Sequence, residues 1–512
     1  MAATKAQQSN MAMLVALLLV GGLSAFVANS PKIYSNMKKA WKASADWTAA
    51  ESGNVWAIGG IGLFLIPAGM VYDALGTFGI LLYGAIINTA GLALKALFLV
   101  SYPNAYLHGI FEILGIHGGC ALNFGAIWTN GKAWPPKSSG LVSGVLLAIY
   151  SAGAMFMTFL WSHFFSAKAE DLTHKISDLK KADPKSPELD KMRSELGGII
   201  QGYVWTWTII SAVAAVVVTI VLPILYNMYI AQKKAQEDAR KSVTIAQQRK
   251  SILTTPPEPT WKVFTKIEAY MLMCVYLFGT AQGMAFGAAM KTVVSSYNVE
   301  GRNNSLDMAQ QLVGRLGGGM LSDILEAYIS RLQFIAIVTA FMGIGQEIGI
   351  VMLDGNFVWG VVICIGFSYA STYAALPAYV RNTFDVRQFG LVTAIGYSCM
   401  IPGNFFYTKF TAAQFDKHKD PAAEFCMGDD CNKLWCLLGP ILSVIPALFC
   451  LYVSFTAERK PAPPAVVEDR KKHFKRSSIA VPEFHPHPEQ DEILAEAMAA
   501  DNEEEPLLAT KA

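Results

Sequence analysis

Twelve apolar runs, each ended by a short polar break, follow one another between Met11 and Phe455. A helix needs roughly 20 mainly apolar residues to cross the hydrocarbon core of a bilayer. The runs predict spans at 11–28, 54–72, 79–100, 105–128, 140–161 and 202–229, then at 263–290, 306–325, 332–353, 357–380, 389–411 and 434–455. These are numbered spans 1 to 12. Span 1 has the length of a signal peptide, but only Lys5 precedes it, and its removal would leave eleven spans and unpair the two halves.

The polar stretches divide the chain. A cytosolic N-terminus (1–10) leads into a six-helix half (11–230), which carries a charged outer insert (163–200) of alternating acids and bases. That insert reads as a solvated helical hairpin with no chemistry of its own. A linker (231–262) holds Lys233, Lys234, Arg240, Lys241, Arg249 and Lys250 before Pro256-Pro257, and a second six-helix half (263–456) follows. The tail (457–512) is polar and proline-punctuated, a composition that stays disordered. Positive charge in the linker and at Lys471 to Arg476 places both on the cytosolic side.

Composition agrees with the pattern: 53% of residues are hydrophobic and 16% charged, more apolar sequence than one soluble core needs. The fold class is therefore an all-α polytopic membrane protein, with the lipid bilayer as its surroundings. A net charge of +2 with no basic, aromatic-interleaved patch gives no reason to expect nucleic acid. No Walker loop, C-x-x-C pair or paired catalytic carboxylates occur. An enzyme, an ATP-driven pump and a cofactor are accordingly not expected.

Two motifs recur at matching places. Gly69-Met70-Val71-Tyr72-Asp73 closes span 2 and Gly319-Met320-Leu321-Ser322-Asp323 closes span 8, 250 positions apart. In each, the glycine admits a neighbouring helix at close range, and the aspartate on the same face can cap that neighbour's positive end. The second motif also carries Arg315, and arginine inside a span marks a solute pathway or pairs with a neighbouring helix. A guanidinium can hold a carboxylate or phosphate through two parallel hydrogen bonds.

Span 4 offers another cluster. His108 and Glu112 share a face, with His117 five residues deeper; the set can relay a proton, contribute to a metal site, or leave Glu112 paired with Lys95 of span 3. Tyr369, Tyr373, Tyr397 and Asn404 can line a cavity or fill the bundle, while Glu347, Lys291 and Asp307 read as interfacial partners or gates.

The loops hold candidates for modification and sorting. Cys426 and Cys431 fall in an outer loop and are expected to form a local disulfide, with Cys431–Cys436 as an alternative of equal spacing. Asn303 begins a glycosylation sequon. In the tail, Glu503 with Leu507 and Leu508 resembles an acidic dileucine address read by a sorting adaptor. It points to an endosomal, lysosomal or vacuolar membrane first and the plasma membrane second.

Twelve spans in two parallel halves, a long basic middle loop and G-x-x-x-D after spans 2 and 8 resemble the major facilitator superfamily. Within it the chain is most similar to the nodulin-like branch. That resemblance is carried by Tyr34-Ser35 with Lys38, Gly84-Ala85 with Gly91, and Asn130 with Lys132, Pro135 and Gly140-x-x-x-Gly144. Further on it is carried by Gly314 to Gly319 with Ser322-Asp323, by Phe384-Asp385 to Phe389-Gly390, and by Cys426-x-Gly428-x-x-Cys431. The superfamily's basic residues beside the span-2 aspartate are replaced here by Ala74 and Thr77-Phe78, which leaves the packing of Gly69 and Asp73 without a salt-bridge latch.

The resemblance implies a secondary transporter that rocks its halves about a site near the midplane. Arginine at the position of Arg315 also resembles the monocarboxylate-transporter branch, where it serves an anionic substrate. The expected function is alternating-access transport of a small polar or anionic solute with proton coupling open. Two alternatives stand beside it: a metal or metal-chelate exporter using His108, Glu112 and His117, and a non-transporting solute receptor on the same fold.

Overall fold

A computed structural model describes residues 2–241, 260–287, 305–351, 358–418 and 433–457. Lys291, Asn303, Cys426, Cys431, Glu503, Leu507 and Leu508 lie outside the described residues. The elements described are helical throughout, and eight helical stretches among them are long and apolar enough to cross a membrane.

The first half comprises α1 (Ala2–Val27), α2 (Ser30–Ser44), α3 (Ala49–Gly59), α4 (Ile66–Phe98), α5 (Ala105–Ala133), α6 (Ser139–Leu160), α7 (Ser166–Ala182) and α8 (Pro187–Lys241). The second comprises α9 (Ile267–Cys274), extended by a π turn at Val275–Thr280, then α10 (Ser305–Leu325), α11 (Arg331–Val351), α12 (Val358–Thr383), α13 (Phe389–Ser398), α14 (Met400–His418) and α15 (Lys433–Thr456). Cys436, the alternative disulfide partner, falls within α15.

Three local features add to the pattern expected. Span 2 is interrupted: a 3-10 turn at Gly60–Leu63 separates α3 from α4. Spans 2 and 3 then join with almost no loop, because Gly76 alone turns the chain inside α4 at φ 66, a conformation that costs glycine nothing. The insert also packs as more than a solvated hairpin. Ala169, Leu172 and Ile176 of α7 and Leu189 and Leu196 of α8 are buried with Tyr34, Met37 and Trp41 of α2 in one cluster, so apolar positions at helical spacing face inward even in this charged segment.

Charges clasp the same cap, formed by α7 and the start of α8 packed on α2. The Asp46 carboxylate, in the turn between α2 and α3, receives Lys180 at 2.6 Å and Arg193 at 2.9 Å. Ser44 donates to the Arg193 carbonyl at 2.9 Å.

The halves share an internal device that hydropathy does not reveal. In the first, Asn88 donates to Ser211 (2.9 Å), which donates to the Val27 carbonyl (3.2 Å), tying spans 3, 6 and 1. In the second, Ser443 donates to Gln282 (3.1 Å), which donates to Gln346 (2.6 Å), tying spans 12, 7 and 9. Apolar helices have little hydrophobic reason to associate in lipid, so buried hydrogen bonds and close packing hold such bundles. Across the halves, α10 packs on α6 and α13 on α4.

Candidate functional site

The second half's glycine face brings backbones into contact on both sides of Arg315. A Cβ at Gly319 would stand 2.3 Å from the Gly140 carbonyl oxygen, and one at Gly318 would stand 2.4 Å from Ser371 Cα. α10 is therefore wedged between α6 of the opposite half and α12 of its own. On it Arg315 is 3% exposed. Its Nη1 donates to the Leu147 carbonyl (3.0 Å) and Ser151 Oγ (2.7 Å) of α6, and Nη2 reaches Gln311 at 3.4 Å.

Ring faces complete the surroundings. The guanidinium lies 5.2 Å from the centroid of Tyr150 and 5.5 Å from that of Tyr373, the distance at which a cation is drawn to a π face. Among the described residues no carboxylate forms an ion pair with it. Among the described residues Nε has no partner and Nη2 has only the long bond to Gln311, so the Nε–Nη2 edge is short of acceptors.

Aromatic side chains from both halves crowd below and beside this arginine. Tyr373 contacts Tyr369 (5.7 Å between centroids) and Tyr397 (5.5 Å), and Tyr397 meets Phe124 edge-on at 4.7 Å. Phe124 in turn packs on Trp128 at 5.5 Å. Tyr369, Tyr373 and Tyr397 thus gather around one point, while Tyr150, Ser151 and Phe124 join it from spans 4 and 5. Sequence reasoning missed those three, because tyrosine, serine and phenylalanine in an apolar span carry no signal until the opposite half is placed against them.

The span-4 set does not come together. Glu112 is fully buried and ion-paired with Lys95, likewise fully buried. His108 sits against Trp41 (4.8 Å between centroids) with Nε2 at 3.1 Å from the Tyr102 carbonyl. His117 spans between Tyr83 OH (2.7 Å from Nε2) and the Gly62 carbonyl (3.3 Å from Nδ1). A carbonyl only accepts, so Nδ1 carries the proton and Nε2 receives the tyrosine hydroxyl. The three groups therefore serve an ion pair, an aromatic box and a broken helix. Among the described residues no three His, Cys, Asp or Glu side chains gather as a metal site. Asn404 lies across the same break, against Gly60, buried at 5% exposure with Oδ1 unpartnered among the described residues.

At the end of the bundle that carries the two glycine–aspartate motifs, each aspartate reaches the opposite half. Asp73 accepts from the amides of Gly390 (3.1 Å) and Leu391 (2.8 Å) at the start of α13. Asp323 accepts from the amides of Gly140 (3.0 Å) and Leu141 (2.6 Å) at the start of α6. Asp323 alone also holds an arginine, Arg331 at 2.6 Å, which is shared with Glu326 at 2.9 Å. Gly69 permits its contact as Gly319 does: a Cβ there would stand 2.7 Å from the Gly390 carbonyl oxygen.

Solved structures share this arrangement of helices. The chain superposes on the fucose transporter FucP of E. coli in its outward conformation with a TM-score of 0.57 at 14% identity, covering 88% of this chain and all of that one. The fold is that of the major facilitator superfamily. A bacterial homologue of the iron transporter ferroportin in an outward-facing state gives 0.55 at 11% identity (86% of this chain, 99% of that one). The proton:xylose symporter XylE gives 0.51 at 12% identity (86% and 96%). At such identities the likeness is one of fold.

Sequence comparison adds one curated relative, described as "Probable transporter MCH1" of Yarrowia lipolytica, 24% identical over 187 residues. That match spans 33% of this chain and 38% of the relative. No family model matches the sequence.

Proposed function

We propose that this protein is a secondary active transporter of the nodulin-like kind, moving a small organic anion across its membrane by alternating access, with Arg315 as the residue that holds the anion. The observation that carries this reading is the buried guanidinium, which has no counter-ion among the described residues. Arginine does not give up its proton in proteins, and a charge buried in a membrane bundle is costly unless something offsets it. Carbonyl, hydroxyl and ring faces make the charge tolerable, and a carboxylate on its Nε–Nη2 edge would neutralise it. One cation among tyrosines suits a singly charged solute with an apolar or ring-shaped body.

In this reading Asp73 and Asp323 are the latches that shut the cytosolic end, and the solute site beside Arg315 opens to the other side. The latches bond across the halves, so an inward-open state must break both. Glu112, buried with Oε1 unpartnered beside Lys95, is assigned the proton-coupling role. The metal-carrier alternative loses its support, because His108, Glu112 and His117 already have other partners. The sequon at Asn303, the disulfide at Cys426 and Cys431, and a sorting adaptor at Glu503, Leu507 and Leu508 stay part of the proposal from the sequence alone.

The test is a thermal-shift screen of purified protein against carboxylates, amino acids, phosphates and divalent metals, run on wild type and Arg315→Ala. A ligand that binds the folded state raises its apparent stability. A carboxylate that stabilises wild type and not Arg315→Ala supports the proposal. Stabilisation only by a metal, surviving in Arg315→Ala, rejects it.

A further inference from the structure

Span 2 breaks where a membrane helix can least easily afford open backbone. α3 stops at Gly59, the 3-10 turn covers Gly60–Leu63, Phe64 leaves the helical region at ψ 87, and α4 starts at Ile66. Pro67 has no N–H to return to the Leu63 carbonyl. Facing it across the halves, span 11 is interrupted as well: α13 ends at Ser398 and α14 begins at Met400, and Pro402 leaves the Ser398 carbonyl without its helical donor. The two breaks touch, because the Leu65 amide donates to Ser398 Oγ at 3.0 Å.

Irregular backbone inside a membrane is tolerated where protein or a cavity satisfies it. His117 satisfies the Gly62 carbonyl. A second, independent observation is an unpartnered amide beside the break. The Asn404 amide lies against Gly60, with Nδ2 3.7 Å from the place of a Cβ there. Asn404 is 95% buried, and its Oδ1 has no partner among the described residues. A buried amide oxygen without a donor costs free energy that a bound group would recover.

We propose that this double break binds a monovalent alkali cation, sodium in preference, through Asn404 Oδ1 and backbone carbonyl oxygens of the two interrupted helices. The chemistry of the donors selects the ion. They are neutral oxygens, which suit a hard cation. The neighbouring carboxylate, Glu112, presses on Gly59 and is held by Lys95, so no free negative charge offsets a divalent ion. α3, 11 residues long, directs its partially negative C-terminal end at the break. Unwound carbonyls and half-helix C-termini are the usual cation ligands of discontinuous transporter helices. The site is separate from Arg315 and stands whether or not the anion reading holds.

The full-length protein is purified without sodium, and its Tm is measured against rising sodium, potassium or choline chloride at constant ionic strength. A saturable rise of Tm with sodium, absent with choline, is expected in wild type and in Arg315→Ala, and its loss is expected in Asn404→Leu. Equal response to potassium also supports an alkali-cation site. Identical Tm in all three salts overturns the proposal, as does an undiminished sodium response in Asn404→Leu. If Asn404→Leu does not fold, Asn404→Asp decides: added negative charge should lower the half-saturating sodium concentration, and an unchanged midpoint overturns the proposal.

Discussion

Asp73 and Asp323, 250 positions apart, make the same pair of bonds to opposite halves: each accepts two consecutive amide N–H groups at the start of a helix across the interface. Two exchanged caps, one from each half, make the closed end nearly symmetric. Only the Asp323 side adds a guanidinium, that of Arg331.

Removing one latch should therefore shift the balance between states without unfolding either half. A charge-assisted hydrogen bond contributes about 1.5–3 kcal/mol, so Asp73→Asn is expected to raise the population open at that end by about tenfold or more. Spin-label distances between the Gly76 turn of α4 and the start of α13 should lengthen. Asp323→Asn should do more, because it also leaves Arg331 with Glu326 alone.

Closing the same end requires the bare glycines. Gly319→Ala puts a Cβ 2.3 Å from the Gly140 carbonyl oxygen, and no flexible side chain is there to yield. The variant should fold and insert but stay open at the latch end. Labelling of a cysteine placed at position 139, where the native serine is 1% exposed, should be fast in Gly319→Ala and slow in wild type.

The Lys95–Glu112 pair has no solvent exposure. Breaking a buried pair from one side leaves an uncompensated charge and costs about 3–5 kcal/mol. Lys95→Met should lower Tm sharply, and the double change Lys95→Met with Glu112→Leu should recover most of the loss. Equal loss in both would mean that packing, and not charge, is what Lys95 supplies.

Outside the membrane, burial works to raise the Asp46 carboxyl, but the hydrogen bond from Lys180 and the charges of Arg193 and Lys180 outweigh it and hold it below its ordinary value. A carboxyl depressed on folding adds stability above its unfolded value, and the gain disappears as pH falls through the folded one. The cap clasp should hold from pH 7 to pH 5 and loosen only below about pH 4. Hydrogen exchange in 166–200 should show that step, and Asp46→Asn, which tolerates the positive φ of 54 there, should remove it. The pair is half exposed, so the step should be small.

Much of the fold was legible because its cause is local. Apolar run length reports a span directly, and the i, i+4 spacing of Gly69 with Asp73 and of Gly319 with Asp323 puts packing and capping groups on one helix face. The break in span 2 had a local signal too, in Gly59-Gly60 and Pro67, but the apolar average across it masked the interruption. Other features are made of distant residues. Arg315 and Ser151 meet across 164 positions, and nothing near Ser151 marks it. The cap was misread because its charge content hid the inward stripe of Ala169, Leu172 and Ile176.

The central claim is that Arg315 carries an anion across the membrane, and flux tests it most directly. Labelled carboxylates are offered to proteoliposomes holding wild type, Arg315→Lys or Arg315→Gln, each checked for folding by its Tm. The account predicts saturable uptake by wild type, a reduced rate in Arg315→Lys, which keeps the charge but not the fork, and loss of at least about a hundredfold in Arg315→Gln. Uptake of a carboxylate by Arg315→Gln at the wild-type rate would contradict it, and ligand binding without any flux in wild type would make the protein a receptor on a transporter's fold.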